Sequence, residues 1–61
     1  MFQFLTDIRL GKTYGFRIIR DTEADDYFVD VSYKRTNLLR ERRRFSTLSS
    51  ARVYVSKNIN R

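Results

Sequence analysis

The stretch from Tyr27 to Tyr33 constrains the fold more than any other part of the chain. Its side chains alternate between two sets, Tyr27, Val29, Val31 and Tyr33 on one side, and Phe28, Asp30 and Ser32 on the other. A period of two, with aromatic and β-branched residues in one set, predicts a strand that continues to Arg35. We expect the first set to face the core.

Phe28 is the large apolar residue on the other side of this strand. An exposed aromatic side chain on a sheet can stack on a nucleobase or anchor a protein partner. Alternatively, the N-terminal strand covers it. The sequence leaves both interpretations open.

Two further strands are predicted before Tyr27. In the first, Phe2, Phe4, Thr6 and Ile8 alternate with Gln3, Leu5, Asp7 and Arg9; in the second, Tyr14, Phe16 and Ile18 share one face. A turn separates them, in which Gly11 tolerates a positive φ. The acidic residues 21–26 could bind a divalent cation, but their spacing does not match a calcium loop, and we interpret them as a solvated hairpin loop.

The basic segment after Tyr33 is predicted to turn and then form a last strand, residues 40–45. If Phe45 points inward, Glu41 and Arg43 share its side, whereas the outward side carries Arg40, Arg42 and Arg44. A helix over residues 37–44 is the rival, although its apolar stripe is weak. In the turn, Asn37 is best suited to a left-handed conformation.

A C-terminal helix is predicted from Ser46 or Thr47, because either hydroxyl can cap its first turn. One helical face would carry Leu48, Ala51, Val55 and Ile59. The strand propensity of Val53–Val55 keeps a terminal strand as the alternative. The sequence thus predicts a single α+β domain over residues 1–61, with an antiparallel sheet of three or four strands and one C-terminal helix on one face.

The composition argues against most catalytic chemistry. The chain has neither cysteine nor histidine, so it lacks thiolate ligands, disulfides and the commonest general base. No nucleophile-elbow or phosphate-loop spacing is present. We therefore predict no enzyme activity, no catalytic residue, no metal site and no cofactor.

No apolar run approaches the roughly 20 residues of a membrane span, and the first residues lack the basic start of a signal peptide. We expect a cytoplasmic protein that does not enter a membrane. Because 61 residues bury little surface, stability depends on good packing, a partner or self-association, and a homodimer is one alternative.

The net charge of +6 is unevenly distributed along the chain. Residues 1–33 hold four basic and six acidic side chains, which gives −2, whereas residues 34–61 hold nine basic and one acidic, which gives +8. Such asymmetry attracts nucleic acid or an acidic protein surface.

The candidate nucleic-acid contacts are in and beside the basic segment, and they are Ser32, Lys34, Arg35, Arg40, Arg42, Arg43 and Arg44. Arginine donates two parallel hydrogen bonds to phosphate or to guanine, and alternate arginines on a strand stand about 6.6 Å apart. We expect DNA ahead of RNA. An acidic protein partner is the alternative, with Phe28, Leu38 and Leu39 as apolar contacts, and a surface that serves solubility alone is the third.

The order of Tyr27–Tyr33, the basic strand and Phe45–Ala51 resembles the arm-type DNA-binding domains of phage tyrosine recombinases and their AP2-like relatives. The resemblance covers about half of the chain. It implies a three-stranded sheet that enters the major groove and a helix packed behind it. The chain departs from the family at residues 36–39, where the family has a glycine-containing hairpin, and at Ser49 and Ser50, where it has charged residues.

The expected function is that of a small DNA-binding accessory or regulatory protein of a phage or other mobile element. The alternative is a protein-interaction module, or an inhibitor, that uses the same basic surface against an acidic partner. Exposed Leu38, Leu39 and Phe28 would favour the alternative, because protein interfaces need apolar anchors. A continuous arginine face would favour nucleic acid.

Overall fold

Residues 3–61 are described by a computed structural model. The elements are β1 (Gln3–Leu10), β2 (Tyr14–Asp21), β3 (Asp26–Tyr33), β4 (Leu39–Phe45) and α1 (Leu48–Asn58). The predicted α+β class, with a four-stranded antiparallel sheet and one C-terminal helix, is confirmed. Phe2, which was predicted in the first strand, lies outside the described residues.

The strands form a meander in the order β1-β2-β3-β4, and every neighbouring pair is antiparallel. The helix packs on one side of the sheet, against β2, β3 and β4. We call this side the helix face and the other side the open face. Because four strands of similar length run up and down, alternate connections lie at the same end of the sheet.

The core lies between the helix face and α1. It consists of Phe16 and Ile18 from β2, Val29 and Val31 from β3, and Ala51 and Val55 from α1, all at most 3% exposed. Val31 and Val55 therefore lie in one core, as expected from the alternation of β3 and the helical spacing of α1. Residues 48–58 form a helix, so the alternative of a terminal strand is wrong. Residues 39–45 form a strand, so the alternative of an arginine-rich helix is also wrong.

The start of the helix follows from its cap. Thr47 has an extended backbone, and its Oγ1 accepts a hydrogen bond from the Ser50 amide at 3.1 Å. This satisfies one of the amide groups that the first turn leaves without a helical partner. One of the two predicted caps is thus the cap observed.

A bulge in β1 changes which side chains share a face. The register with β2 shifts between Leu5 and Asp7, so Thr6 is the additional residue, and its Oγ1 donates to the Ile18 carbonyl at 3.0 Å. Such a residue reverses the alternation beyond it. The predicted shared face of Phe4 and Ile8 is therefore wrong, since Phe4 lies on the helix face and Ile8 on the open face.

The turns contain two residues in the left-handed region, Asn37 at φ 62° and Asp25 at φ 56°. The prediction for Asn37 is confirmed. Gly11 forms the predicted turn without a positive φ. Glycine is required at position 11 for a steric reason, because a Cβ there would overlap the backbone carbonyl oxygen of Ile59 at the end of the helix.

We expect Val55→Ala to lower the free energy of unfolding by about 2–3 kcal/mol, because it removes two buried methyl groups and leaves a void. Val53→Ala is the matched control: Val53 is 51% exposed, so its loss should be below about 1 kcal/mol. Urea denaturation of the two variants measures the difference. Equal losses would contradict the packing described here.

The two glycines provide a second matched pair. Gly11→Ala should lower the unfolding midpoint, since neither the β1–β2 turn nor the helix end can yield without breaking backbone contacts. Gly15→Ala should leave stability equal or raise it, because its Cβ would lie 3.5 Å from Leu10 Cδ2, an ordinary contact, and alanine is better than glycine inside a strand. Thermal denaturation of the two variants measures the difference. An unchanged melting temperature for Gly11→Ala would contradict the close approach of Gly11 to the Ile59 carbonyl.

Candidate functional site

The arginines of β4 are divided between the two faces of the sheet. Arg42 and Arg44 lie on the open face, as predicted, and Glu41 and Arg43 lie on the helix face. Arg40 departs from the prediction. It is the additional residue of a bulge, because Val31 pairs with Glu41 while the next residue, Ser32, pairs with Leu39.

The bulge turns Arg40 towards the helix face, where its guanidinium lies 5.1 Å from the centre of the Tyr14 ring. The predicted outward row of three arginines therefore has two members. No feature of residues 39–45 alone shows this, since the bulge arises from the register with β3.

Both remaining arginines of the row are held by carboxylates. Arg42 donates from Nε and Nη2 to the two oxygens of Asp30, at 2.7 and 2.9 Å. Arg44 donates from Nη1 to Asp26 at 2.8 Å and to Asp21 at 3.1 Å. The positive charge of this surface is thus locally compensated by three acids.

The same two arginines cover Phe28. Their guanidinium carbons lie 4.2 Å (Arg42) and 5.3 Å (Arg44) from the centre of its ring, and Phe28 is fully buried. Cations pack favourably on an aromatic face, which is negatively polarised. The hypothesis that Phe28 is an exposed contact is therefore wrong. The Phe28 ring is covered by the Arg42 and Arg44 side chains of β4.

Glu41 is the centre of a polar cluster on the helix face. Its oxygens accept from Arg40 at 2.9 Å, from Arg43 at 2.8 Å and from the Tyr54 hydroxyl at 3.2 Å. The Arg43 hydrogen bond, followed by that of Tyr54, lowers the pKa of Glu41, whereas burial and the Glu41 carboxylate raise the pKa of Tyr54. Two more arginines are thereby paired with one carboxylate.

The acidic connection between β2 and β3 is stabilised by its own carboxylates. Asp21 accepts from the backbone amides of Glu23 and Ala24 at 3.1 and 3.2 Å. The Ala24 amide and then Arg44 lower the pKa of Asp21. Asp25 pairs with Arg20. Within residues 3–61, no group of three acidic side chains is placed to hold a metal ion.

Most of the cations that have no ion-pair partner among residues 3–61 collect at one end of the molecule, and the exceptions, Arg9 and Arg17, lie within β1 and β2. Five of them lie in the β1–β2 turn, in the β3–β4 turn and at the end of the helix, and they are Lys12, Lys34, Arg35, Lys57 and Arg61. We call this set the basic end. None of the five forms an ion pair with any residue from 3 to 61. Lys34 Nζ donates to the Gly11 carbonyl at 3.2 Å, which ties the two turns together.

The opposite end carries four of the seven acidic residues of the chain. Asp21, Glu23, Asp25 and Asp26 all lie in or beside the β2–β3 connection. The charge is thus separated along the strands. Sequence reasoning found Lys34 and Arg35 but missed Lys12, Lys57 and Arg61, because it divided the charge along the chain. The signal that could have found them is the up-and-down strand order, which places alternate turns together.

Exposed leucines accompany the basic end. Leu10, Leu38 and Leu39 are 67%, 65% and 54% exposed, as the hypothesis of apolar contacts at Leu38 and Leu39 requires. Leu10 and Leu39 belong to one row across the open face, separated by Gly15 and Ser32. Ser32 thereby lines a depression of about 90 Å³, together with Lys34.

Comparison of the chain with protein-family models, with curated proteins and with solved structures finds no match. The helix within residues 3–61 is too short and too polar to cross a membrane. The candidate site therefore stands on its geometry alone.

We expect Arg42→Ala to destabilise the protein by about 1 kcal/mol, because it removes a cation from the Phe28 ring and leaves the ring partly exposed. Arg35→Ala is the control: it removes the same charge from a turn where the side chain has no partner among residues 3–61, and it should leave the melting temperature unchanged. Equal melting temperatures for the two variants would contradict a covering role for Arg42.

Acid should destabilise the protein through Asp21. Because its folded pKa is depressed, its stabilising effect is complete above the unfolded pKa, about 3.9, and is lost as pH falls through the lower folded value. Asp21→Asn should therefore show a shallower loss of melting temperature below about pH 4 than the wild type. Parallel pH profiles for the two proteins would contradict this assignment.

Proposed function

We propose that the protein binds the phosphate backbone of nucleic acid, duplex DNA ahead of RNA, through its basic end. The observation that carries the proposal is that Lys12, Lys34, Arg35, Lys57 and Arg61 converge at one end and have no carboxylate partner among residues 3–61. Uncompensated cations release condensed counterions when they meet phosphates, which drives association.

The open face is less suited to be the main phosphate contact. Arg42 and Arg44 are compensated by Asp21, Asp26 and Asp30, and these carboxylates would be brought close to phosphates. Binding through the basic end instead points the acidic end away from the polyanion. The protein would thus orient itself by its own charge separation before contact.

Binding of this kind involves no catalytic step. A small protein that binds the phosphate backbone without contacting base edges is suited to an accessory or regulatory role. Phages and other mobile elements encode proteins of this kind, which act in the cytoplasm. Phosphate contacts fix position and orientation, whereas base contacts supply sequence preference. We therefore expect little discrimination between duplex sequences.

Five phosphate contacts predict that log K falls against log salt with a slope of about −4.5, a loss of roughly 10²–10³ in affinity between 50 and 200 mM salt. Fluorescence anisotropy with a labelled DNA duplex measures it, with duplex RNA and single strands as further arms. A flat salt response would overturn the proposal.

A charge-matched pair of variants tests the location. Lys12→Gln with Arg35→Gln removes two cations from the basic end. The slope of log K against log salt should become less steep, by about 1.8. Arg20→Gln with Arg52→Gln removes the same charge from cations that pair with Asp25 and Asp7, and it should change the slope little. Equal effects would show that only net charge matters and would overturn the assignment to the basic end.

An acidic protein partner is the second candidate, and a specific observation favours it. Leu10, Leu38 and Leu39 are exposed beside the cations, and phosphate contacts give no reason for exposed leucines there. Protein interfaces combine apolar anchors with charged rims. An acidic surface with apolar residues would fit both features of this end.

A random copolymer of glutamate and tyrosine is a suitable probe, because it offers both carboxylates and apolar rings. The second candidate predicts that Leu38→Ser with Leu39→Ser weakens copolymer binding at least tenfold, whereas DNA binding is unchanged or absent. Both leucines are exposed, so the fold should survive, which far-UV circular dichroism checks. Copolymer binding that ignores the leucines would contradict this candidate.

A further inference from the structure

The two edges of the sheet differ in how they are protected. An edge strand exposes unpaired backbone groups, and natural proteins discourage further pairing with charges or bulges. β4 carries four arginines in seven residues. β1 carries only Asp7 and Arg9 as charged residues, and more than half of the surface of Phe4, Leu5, Ile8 and Leu10 is exposed.

The bulge at Thr6 protects only the first half of β1. From Asp7 to Leu10 the strand is regular and pairs residue by residue with β2 on its inner side. Its outer side is an open edge of the sheet. We propose that this segment pairs with the same segment of a second copy, antiparallel, to give a two-fold symmetric dimer with one continuous eight-stranded sheet.

The charges of the strand select the register. Like charges directly opposite one another destabilise a strand pair, and opposite charges stabilise it. A dimer centred on Asp7 would oppose two carboxylates, and one centred on Arg9 would oppose two guanidiniums. Centred on Ile8, the pairing places Asp7 of each copy opposite Arg9 of the other and brings the two Ile8 side chains together on the open face.

Arg9 is free to form such a pair, whereas the Asp7 carboxylate, which has further lone pairs, would be shared between Arg52 and the second copy. Arg9 has no ion-pair partner within residues 3–61, and Asp7 is held in place by Arg52 Nε at 2.9 Å. Asp7 and Arg9 both lie on the helix face, on the same side of the strand. Two reciprocal ion pairs would therefore form on one side of the joined sheet and an aliphatic contact on the other.

The charge separation of the whole molecule favours the same arrangement. Antiparallel pairing reverses the strand direction, so the basic end of one copy lies beside the acidic end of the other. Opposed poles attract, whereas parallel pairing would place like poles together. An interface of one short strand is at the small end for dimers, so we expect a dissociation constant on the order of micromolar.

Sedimentation velocity between about 1 µM and 1 mM tests the proposal on the full chain, and the expected result is a shift from monomer to dimer mass. Ile8→Arg places two like charges at the centre and should give monomer throughout. Leu38→Arg is the control, since it adds the same charge to another exposed aliphatic side chain, outside β1 in the β3–β4 turn, and it should still dimerise. Monomer at every concentration in the wild type would overturn the proposal.

A charge exchange distinguishes this register from other modes of association. With Arg52→Gln as background, so that residue 52 does not repel a new cation, Arg9→Asp should weaken the dimer at least tenfold. Adding Asp7→Arg should restore it, because the reciprocal pairs re-form with exchanged signs. Dimerisation that ignores both changes would point to contact through the open faces and would overturn the β1 pairing. Circular dichroism confirms that each variant is folded.

Discussion

The structure depends on how β3 is covered on both of its faces. A chain of 61 residues supplies one helix, which covers the sheet from one side only. Val29 and Val31 meet that helix, but Phe28 points the other way and would otherwise face water. Guanidinium groups from the neighbouring strand replace a second layer of structure. Long arginine side chains can do this because their flat charged groups stay hydrated at the rim while they cover the ring.

This arrangement changes the interpretation of an arginine-rich segment. The acids that hold Arg42 and Arg44 come from β2 and β3, far away in sequence. An ion pair of this kind satisfies both partners and leaves little net charge outside. The segment that dominates the sequence by its charge is therefore partly structural, and the five uncompensated cations of the basic end come from two turns and the end of the helix.

The strands and the helix could be predicted because their signals are local. Alternation marks β2 and β3, and a hydroxyl residue followed by helical spacing marks the start of α1. The two bulges could not be predicted, because each depends on the register between neighbouring strands rather than on the bulged strand itself. One bulge moved Arg40 to the other face, and the other separated Phe4 from Ile8. The basic end was missed for a related reason, since it is assembled from turns that only the strand order brings together.

The meander also has a consequence for how the chain acquires its structure. Each strand pairs with its immediate neighbour in sequence, so the sheet can form as successive hairpins, each closing a short loop. Chains dominated by such short-range pairings generally fold faster than those that must join distant strands. The long-range exception is the helix, which packs on β2 and β3 and whose Arg52 meets Asp7 of β1 across 45 residues. Docking of the helix is therefore the step that closes the largest loop. Because the helix packs on β2, β3 and β4, its docking stabilises β1 less than the other strands.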